Sequence, residues 1–248
     1  MSIVTKSPRE IDIMRNAGKI LAMVLQRLVE EIRPGIRTIE LDKQCVQEMA
    51  KYGVKSSFKG YHGFPGHLCV SVNNEIVHGI PGERVLREGD LVSLDAGVIL
   101  DGLQSDSAVT VGVGEVSPEA QELLEITEAA LYAGIDAAKP DGYLGDISAA
   151  IQHCAESKGF SVVREYTGHG IGYQMHEDPQ IPNFGVPGEG PLLRSGMTFA
   201  IEPMVNRGGW QTMVNDNQWT VVTADGNLSA HFEHTIAILD KPEIFTRL

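Results

Sequence analysis

The sequence predicts a mixed α/β protein made of two related halves, each running helix, break, helix, strands. Three observations carry that expectation. Pro34 and Pro140, each closely followed by glycine, stand 106 residues apart, and the helix-stopping Gly53 and Gly159 repeat that spacing. Segments 87–95 and 194–202 align at an offset of 107, glycine on glycine and Asp95 on Glu202. Asp101-Gly102 is a two-residue hairpin signal within a strand-rich stretch. A fixed offset over this much chain marks internal duplication. The expectation is one domain over 1–248 with repeats of about 7–113 and 117–239, which makes Asp95 and Glu202 symmetry mates.

The elements follow in chain order. Ser7-Pro8-Arg9-Glu10 is a capping box with proline at the first helical position. Ile11, Met14, Ala17, Leu21, Val24 and Leu28 then recur at helical spacing until Pro34-Gly35. A second helix is predicted over about 38–52, stopped by Gly53. In the second half, Ser117-Pro118 opens a helix to about Lys139, Pro140-Asp141-Gly142 breaks it, and a helix capped near Asp146 stops at Gly159.

Composition narrows the function. The 248 residues are 42% hydrophobic and 21% charged, as in ordinary soluble globular proteins. A net charge of −13 repels phosphate and argues against nucleic acid as a direct partner. Cys45, Cys69 and Cys154 are odd in number and far apart, which fits a reducing compartment better than a disulfide framework or a zinc ribbon. Residues 1–10 lack the apolar core of a signal peptide, and no apolar run is long enough to span a bilayer, so the expected location is cytoplasmic.

The chemistry lies in the acids. Residues 91–100 read as a buried strand and 103–113 as its return. With Asp101-Gly102 at the turn, Asp106 faces Gly97, and Asp95 shares that face as a diagonal neighbour at roughly 7–8 Å. A lone strand Asp is usually an exposed charge. A buried pair repels, and one partner protonates unless a cation lies between them. Segment 197–204 is an apolar strand ending near Glu202, and 229–239 is a strand carrying Glu233. His169 lies in the glycine-rich Thr167-Gly168-His169-Gly170-Ile171-Gly172, whose glycines allow close backbone approach and an exposed ring. Four carboxylates and one imidazole suit Mn, Fe, Co or Zn better than Ca or Mg, and four acids suffice for two ions.

At these residues the chain resembles the methionine aminopeptidases of the short bacterial type. The resemblance rests on Asp95, Asp106, the glycine-flanked His169, Ile201-Glu202-Pro203 and Glu233-His234-Thr235 in that order, and it covers essentially the whole chain. It implies the pita-bread α/β fold: two pseudo-symmetric halves around a curved, mostly antiparallel sheet with helices outside. It also implies five metal ligands, Asp95, Asp106, His169, Glu202 and Glu233, with Asp106 and Glu233 bridging two divalent ions. His78 matches a histidine that contacts the peptide, His176 one that hydrogen-bonds the scissile carbonyl, and Glu202 the proton shuttle. The methionine pocket would draw on Tyr61, Phe64, Cys69, Met175 and Trp219, with Phe58 at its rim. The implied activity is removal of the initiator methionine from nascent polypeptides, at or near the ribosome, by a monomer.

Three residues depart from the family pattern. Phe58 stands where a small residue is common, Met175 where an aromatic is usual, and His231 where glutamine is commoner. Strand alternation puts His231 on the face of Glu233. Phe58, Tyr61 and Phe64 have helical spacing, but Gly60, Gly63 and Pro65 between them predict a loop. The rival activity on this fold is that of Xaa-Pro aminopeptidases and prolidases, which usually carry an additional N-terminal domain.

Overall fold

Helix α1 (Pro8–Glu30) begins where its capping box stands: Ser7 Oγ accepts the Glu10 N–H, and the Glu10 carboxylate accepts the Ser7 N–H at 2.6 Å. The structure, a computed structural model, describes residues 3–248. Helix α2 (Thr38–Lys51) is closed at its start by Glu40, which accepts the Arg37 N–H at 2.9 Å. Ser117 caps α3 (Pro118–Ala137) through the Ala120 N–H. The fourth helix, α4 (Leu144–Glu156), differs slightly from expectation. Asp146 is its third residue rather than its cap, and its carboxylate reaches back to the Tyr143 N–H at 2.8 Å. A carboxylate one turn in satisfies the free donor that the Tyr143 side chain cannot.

Between the helix pairs run β1 (Lys55–Ser56), β2 (Cys69–Val72), β3 (Glu75–Val77), β4 (Leu91–Leu100) and β5 (Leu103–Gly112). After α4 come β6 (Ser161–Val162), β7 (Thr167–Gly170), β8 (Glu177–Pro182), β9 (Thr198–Ile201) and β10 (Met204–Asn206). The chain ends with β11 (Thr212–Val214), β12 (Val221–Thr223), β13 (Ser229–His231), β14 (Glu233–Ile238) and β15 (Pro242–Ile244). Nine strands form one sheet in the order β1-β4-β5-β14-β9-β7-β8, with β2 also on β4 and β15 also on β14. Every pairing in it is antiparallel. Two three-stranded sheets, β13-β10-β6 and β11-β12-β3, complete the described residues.

Two of the strands expected to be continuous are broken. The run through Glu202 leaves the large sheet at Glu202-Pro203 and resumes as β10, and the run through Glu233 divides at Phe232 into β13 and β14. Proline donates no ladder hydrogen bond, which makes 203 a natural place to change sheets.

One face of the large sheet is covered by helices. Val92, Leu94, Ala96 and Val98 of β4 pack with Leu21 and Leu28 of α1 and Leu41 of α2. Phe199, Ile201, Ile236 and Ile238 of β9 and β14 pack with Leu123 and Leu131 of α3 and Ile151 of α4. Burying a side chain of this size contributes roughly 1.5–3 kcal/mol, so the helices fix which face each strand turns inward. The alternate residues of β4, Ser93, Asp95 and Gly97, take the opposite face, which is also buried. That double burial explains why the strand reads as almost uninterrupted apolar sequence. Among the described residues, no helix is long and apolar enough to cross a membrane.

Candidate metal-binding and peptide site

Sheet register gathers the acids. Asp95 on β4 lies opposite Ala108 on β5, and Glu233 on β14 lies opposite the same Ala108. Asp106 pairs with Gly97, as the hairpin signal predicts, two residues from Ala108 and therefore on the same face. Further across, His169 on β7 lies opposite Ala200 on β9, and Glu202 is two residues beyond Ala200. Five side chains distant in sequence thus project from the face away from the helices. One atom each of Asp106, His169 and Glu233 lies within 4.8 Å of the others, and Glu202 Oε1 is 3.5 Å from His169 Nε2.

The backbone is held from behind. Thr235 Oγ1 accepts the Asp106 N–H at 2.8 Å and donates to the Asp106 carbonyl at 2.7 Å. Ser107 Oγ donates to the Glu233 carbonyl at 2.7 Å. The glycines around His169 allow close strand packing: a Cβ at Gly168 would lie 2.5 Å from the Ala200 oxygen, and one at Gly170 2.2 Å from the Asp178 oxygen. His169 is consequently buried, the close-packed of the two outcomes its glycines allow. Its Nδ1 donates to the Gly170 carbonyl at 2.9 Å, which leaves Nε2 as a bare acceptor.

The electrostatics are those of acids lacking a counter-charge. Burial, then the charge of Asp106, holds Asp95 well above the ordinary carboxyl range. Glu202 and Glu233 are raised in the same way, by burial first and then by the neighbouring acids. Burial lifts Asp106 to about 7. Conversely, burial and the nearby His176 lower His169 to about 3. Asp95 Oδ1 and Glu233 Oε1 are buried without a hydrogen-bond partner. A cluster with unpartnered carboxylate oxygens and a neutral imidazole lone pair fits divalent metal, which would discharge the repulsion and satisfy those oxygens together.

The five residues line one end of a cavity of about 230 Å³. Its other end is apolar: Phe58, Phe64, Cys69 and Met175 form one buried cluster, with Tyr61 and Trp219 partly buried against it. Phe58 is a wall residue rather than a rim residue. Gly97 makes room for it, since a Cβ there would lie 2.9 Å from the Phe58 ring. Phe64 meets Phe58 and Trp219 edge-on at centroid distances of 6.5 and 5.2 Å. As the glycines and proline predict, this segment is a loop with a single short turn, Tyr61–Gly63.

Two histidines border the junction between the halves of the cavity. His78 has a left-handed backbone, φ 60°, and its ring meets Tyr166 edge-on at 5.9 Å. A non-glycine residue held in that region is strained, and such residues concentrate at functional sites. Burial, with a contribution from His176, lowers His78 to about 4. The His176 ring meets that of His169 at a tilt, with centroids 4.2 Å apart, and its Nδ1 is 2.8 Å from Tyr61 Oη. Burial and then His62 lower it too, so it is neutral near pH 7. A phenol that donates to Nδ1 would place the His176 proton on Nε2.

Several supporting residues carry no signal in the sequence. Lys6 pairs with Glu177 at 2.6 Å in a buried salt bridge that ties the N-terminal segment beside His176. Tyr166 backs His78 from across the chain. Thr235 stands inside the Glu233-His234-Thr235 triplet, which was the one available clue to it.

The comparisons with known proteins agree with this geometry. Residues 12–240 match the model of metallopeptidase family M24. The chain is 54% identical to a methionine aminopeptidase of Clostridium perfringens over 245 residues, covering 98% of each. It is 53% identical to methionine aminopeptidase 1 of Bacillus subtilis, covering 99% of this chain and 100% of the relative. The crystal structure of a methionine aminopeptidase from Thermotoga maritima superposes with a TM-score of 0.98 at 46% identity, covering both chains completely. The fold is the pita-bread architecture. Matched from end to end by relatives of the same length, this chain belongs to the metallopeptidase family M24.

Proposed function

We propose that this protein removes the N-terminal methionine from newly made polypeptides by hydrolysing the first peptide bond. The supporting observation is the convergence of Asp95, Asp106, His169, Glu202 and Glu233 at the end of a cavity whose far wall is apolar and sulfur-compatible. Those five residues would hold two divalent ions, of Co, Mn, Fe or Zn. When bound, such ions supply the Lewis acidity that makes water a nucleophile near neutral pH.

The protein's own groups do the rest. Glu202 is partly exposed, whereas Asp95, Asp106 and Glu233 are buried, so Glu202 is the acid best placed to exchange a proton with a reacting water. It takes that proton and returns it to the departing amine. His176 Nε2–H donates to the carbonyl oxygen as negative charge develops there. His78 positions the peptide. Phe58, Tyr61, Phe64, Cys69, Met175 and Trp219 enclose the first side chain, and a flexible thioether fits such an irregular pocket well. All these groups come from one chain, so the proposed chemistry needs no residue from a second copy. The free thiols Cys45, Cys69 and Cys154 and the net charge of −13 support a cytoplasmic protein that meets nascent chains rather than binding nucleic acid directly.

Cleavage of Met-Ala-Ser, Ala-Pro-Ala and N-acetyl-Met-Ala-Ser tests the reading. Met-Ala-Ser is expected to have a kcat/KM at least about 100-fold above the other two, because pocket filling and a free amino terminus are both required. Preference for Ala-Pro-Ala would replace this reading with a prolidase-like activity.

Tyr61→Phe isolates the tautomer argument, since it keeps the pocket ring and removes one neutral hydrogen bond. The loss is about 1 kcal/mol, or roughly 5–10-fold in kcat, with KM little changed. Unaltered kcat would show that the phenol does not direct the His176 proton.

A further inference from the structure

Glu202 has an unusual surrounding for a residue asked to move protons. It lies just past the end of β9 and precedes Pro203, which has no N–H to offer. Its two oxygens face two different imidazoles: Oε1 is 3.5 Å from His169 Nε2, and Oε2 is 3.5 Å from His231 Nε2.

The two rings are not equivalent. His169 spends its proton on the Gly170 carbonyl, so its Nε2 presents a lone pair to the carboxylate. His231 has no such commitment: neither of its ring nitrogens has a hydrogen-bond partner, although the residue is only 1% exposed. A neutral imidazole sealed from water gains most by aiming its single N–H at the nearest acceptor. That acceptor is Glu202 Oε2, at the outer edge of hydrogen-bond distance.

The backbone of His231 is fixed for the task. It ends β13, pairing with Met204, and leaves the strand where the chain crosses at Phe232 into β14 and Glu233. Thr110 Oγ1 accepts its N–H at 2.9 Å and donates to its carbonyl at 2.7 Å, and Ser93 Oγ lies 2.8 Å behind Thr110. The ring is not part of the cavity wall, whereas Glu202, whose Oε2 is 3.5 Å from it, is.

We infer that His231 is a positioning residue: its Nε2–H holds Oε2 of Glu202, leaving Oε1 and the His169 lone pair to face a common cation. The inference rests on the proposed role of Glu202 as ligand and proton carrier. A residue in this position governs the orientation of a ligand without being one, and such partners commonly change metal affinity or turnover by about 10–100-fold when removed.

Three substitutions test it: His231→Leu and His231→Phe remove the donor, and His231→Gln keeps an N–H of similar reach. Each is measured for kcat and KM on Met-Ala-Ser, for Co(II) affinity by calorimetry, and for the visible absorption of the Co(II) protein. The donorless variants are expected to lose about 10–100-fold in kcat with KM within about twofold, to bind Co(II) at least about tenfold more weakly, and to shift the Co(II) bands. His231→Gln is expected to recover most of each. A folded donorless variant with normal kcat and Co(II) affinity overturns the inference, as does a His231→Gln protein no better than His231→Leu. Glu202→Gln, run alongside, separates the two ideas. Full activity there defeats the role of Glu202 itself, whereas loss there with no effect at His231 defeats only the positioning role.

Discussion

Glu202→Gln is expected to abolish most hydrolysis while leaving the protein folded. Glutamine fills the same volume and keeps one oxygen in place, so the change removes the ability to accept a proton together with the negative charge that would help hold a cation. General acid–base groups contribute about 10²–10⁴-fold, and kcat on Met-Ala-Ser should fall within that range. Stability should move the other way. Burial and the charges of Asp95 and Asp106 oppose an anion at position 202, so the neutral amide relieves strain when no cation is bound. Lower activity with equal or higher melting temperature in chelator is therefore the signature of a site residue rather than a structural one. His169→Ala should also lose activity, but by loss of a ligand, and its Co(II) affinity should fall with it. Retention of most wild-type turnover in Glu202→Gln would defeat the assignment.

The sequence made part of this site legible and hid the rest for physical reasons. A two-residue Asp-Gly turn has one register, so Asp106 opposite Gly97 could be stated before any fold was known. The capping box at Ser7 and the Ser117 cap likewise set helix starts, because each is closed within four residues. The offset that paired Asp95 with Glu202 depended on proline and glycine, which punctuate backbone rather than packing. By contrast, the breaks at Pro203 and Phe232 are decided by which sheet each half-strand joins, a contact across the whole chain. The short strand Thr212–Val214, with Met213 and Val214 exposed, exists only through its partner Val221–Thr223. The glycines around His169 could serve openness or close packing, and only the neighbouring strands decide between them. Lys6 and Tyr166 act from elements remote from the motifs, and nothing local marks them, whereas Thr235 stands within Glu233-His234-Thr235.

Removal of metal is expected to silence the enzyme and also to make its stability fall with rising pH. The second effect follows from the buried acids. Asp95, Glu202 and Glu233 hold their protons well above the ordinary carboxyl range, and Asp106 to about 7. A group that binds its proton more tightly folded than unfolded stabilises the fold fully below its unfolded pKa. That contribution is lost as pH rises through the folded value. For the metal-free protein the loss should therefore begin in the ordinary carboxyl range, be complete for Asp106 near pH 7, and extend through the raised folded values of Asp95, Glu202 and Glu233, as anions accumulate with nothing to balance them. A divalent ion prefers those same anions, so its binding should release protons and should stabilise most where the metal-free form is weakest. The melting-temperature gap between Mn(II)-loaded and chelator-treated protein is expected to widen by several degrees from about pH 6 to about pH 8, since each kcal/mol moves a protein of this size by roughly 2–4 °C. Calorimetry in buffers of different ionisation enthalpy should show net proton release near pH 7, and Mn or Co should restore cleavage of Met-Ala-Ser. A verified metal-free enzyme that still turns over at the full rate would remove metal from the mechanism. A gap that does not change with pH would show that these four acids are not what the ion compensates.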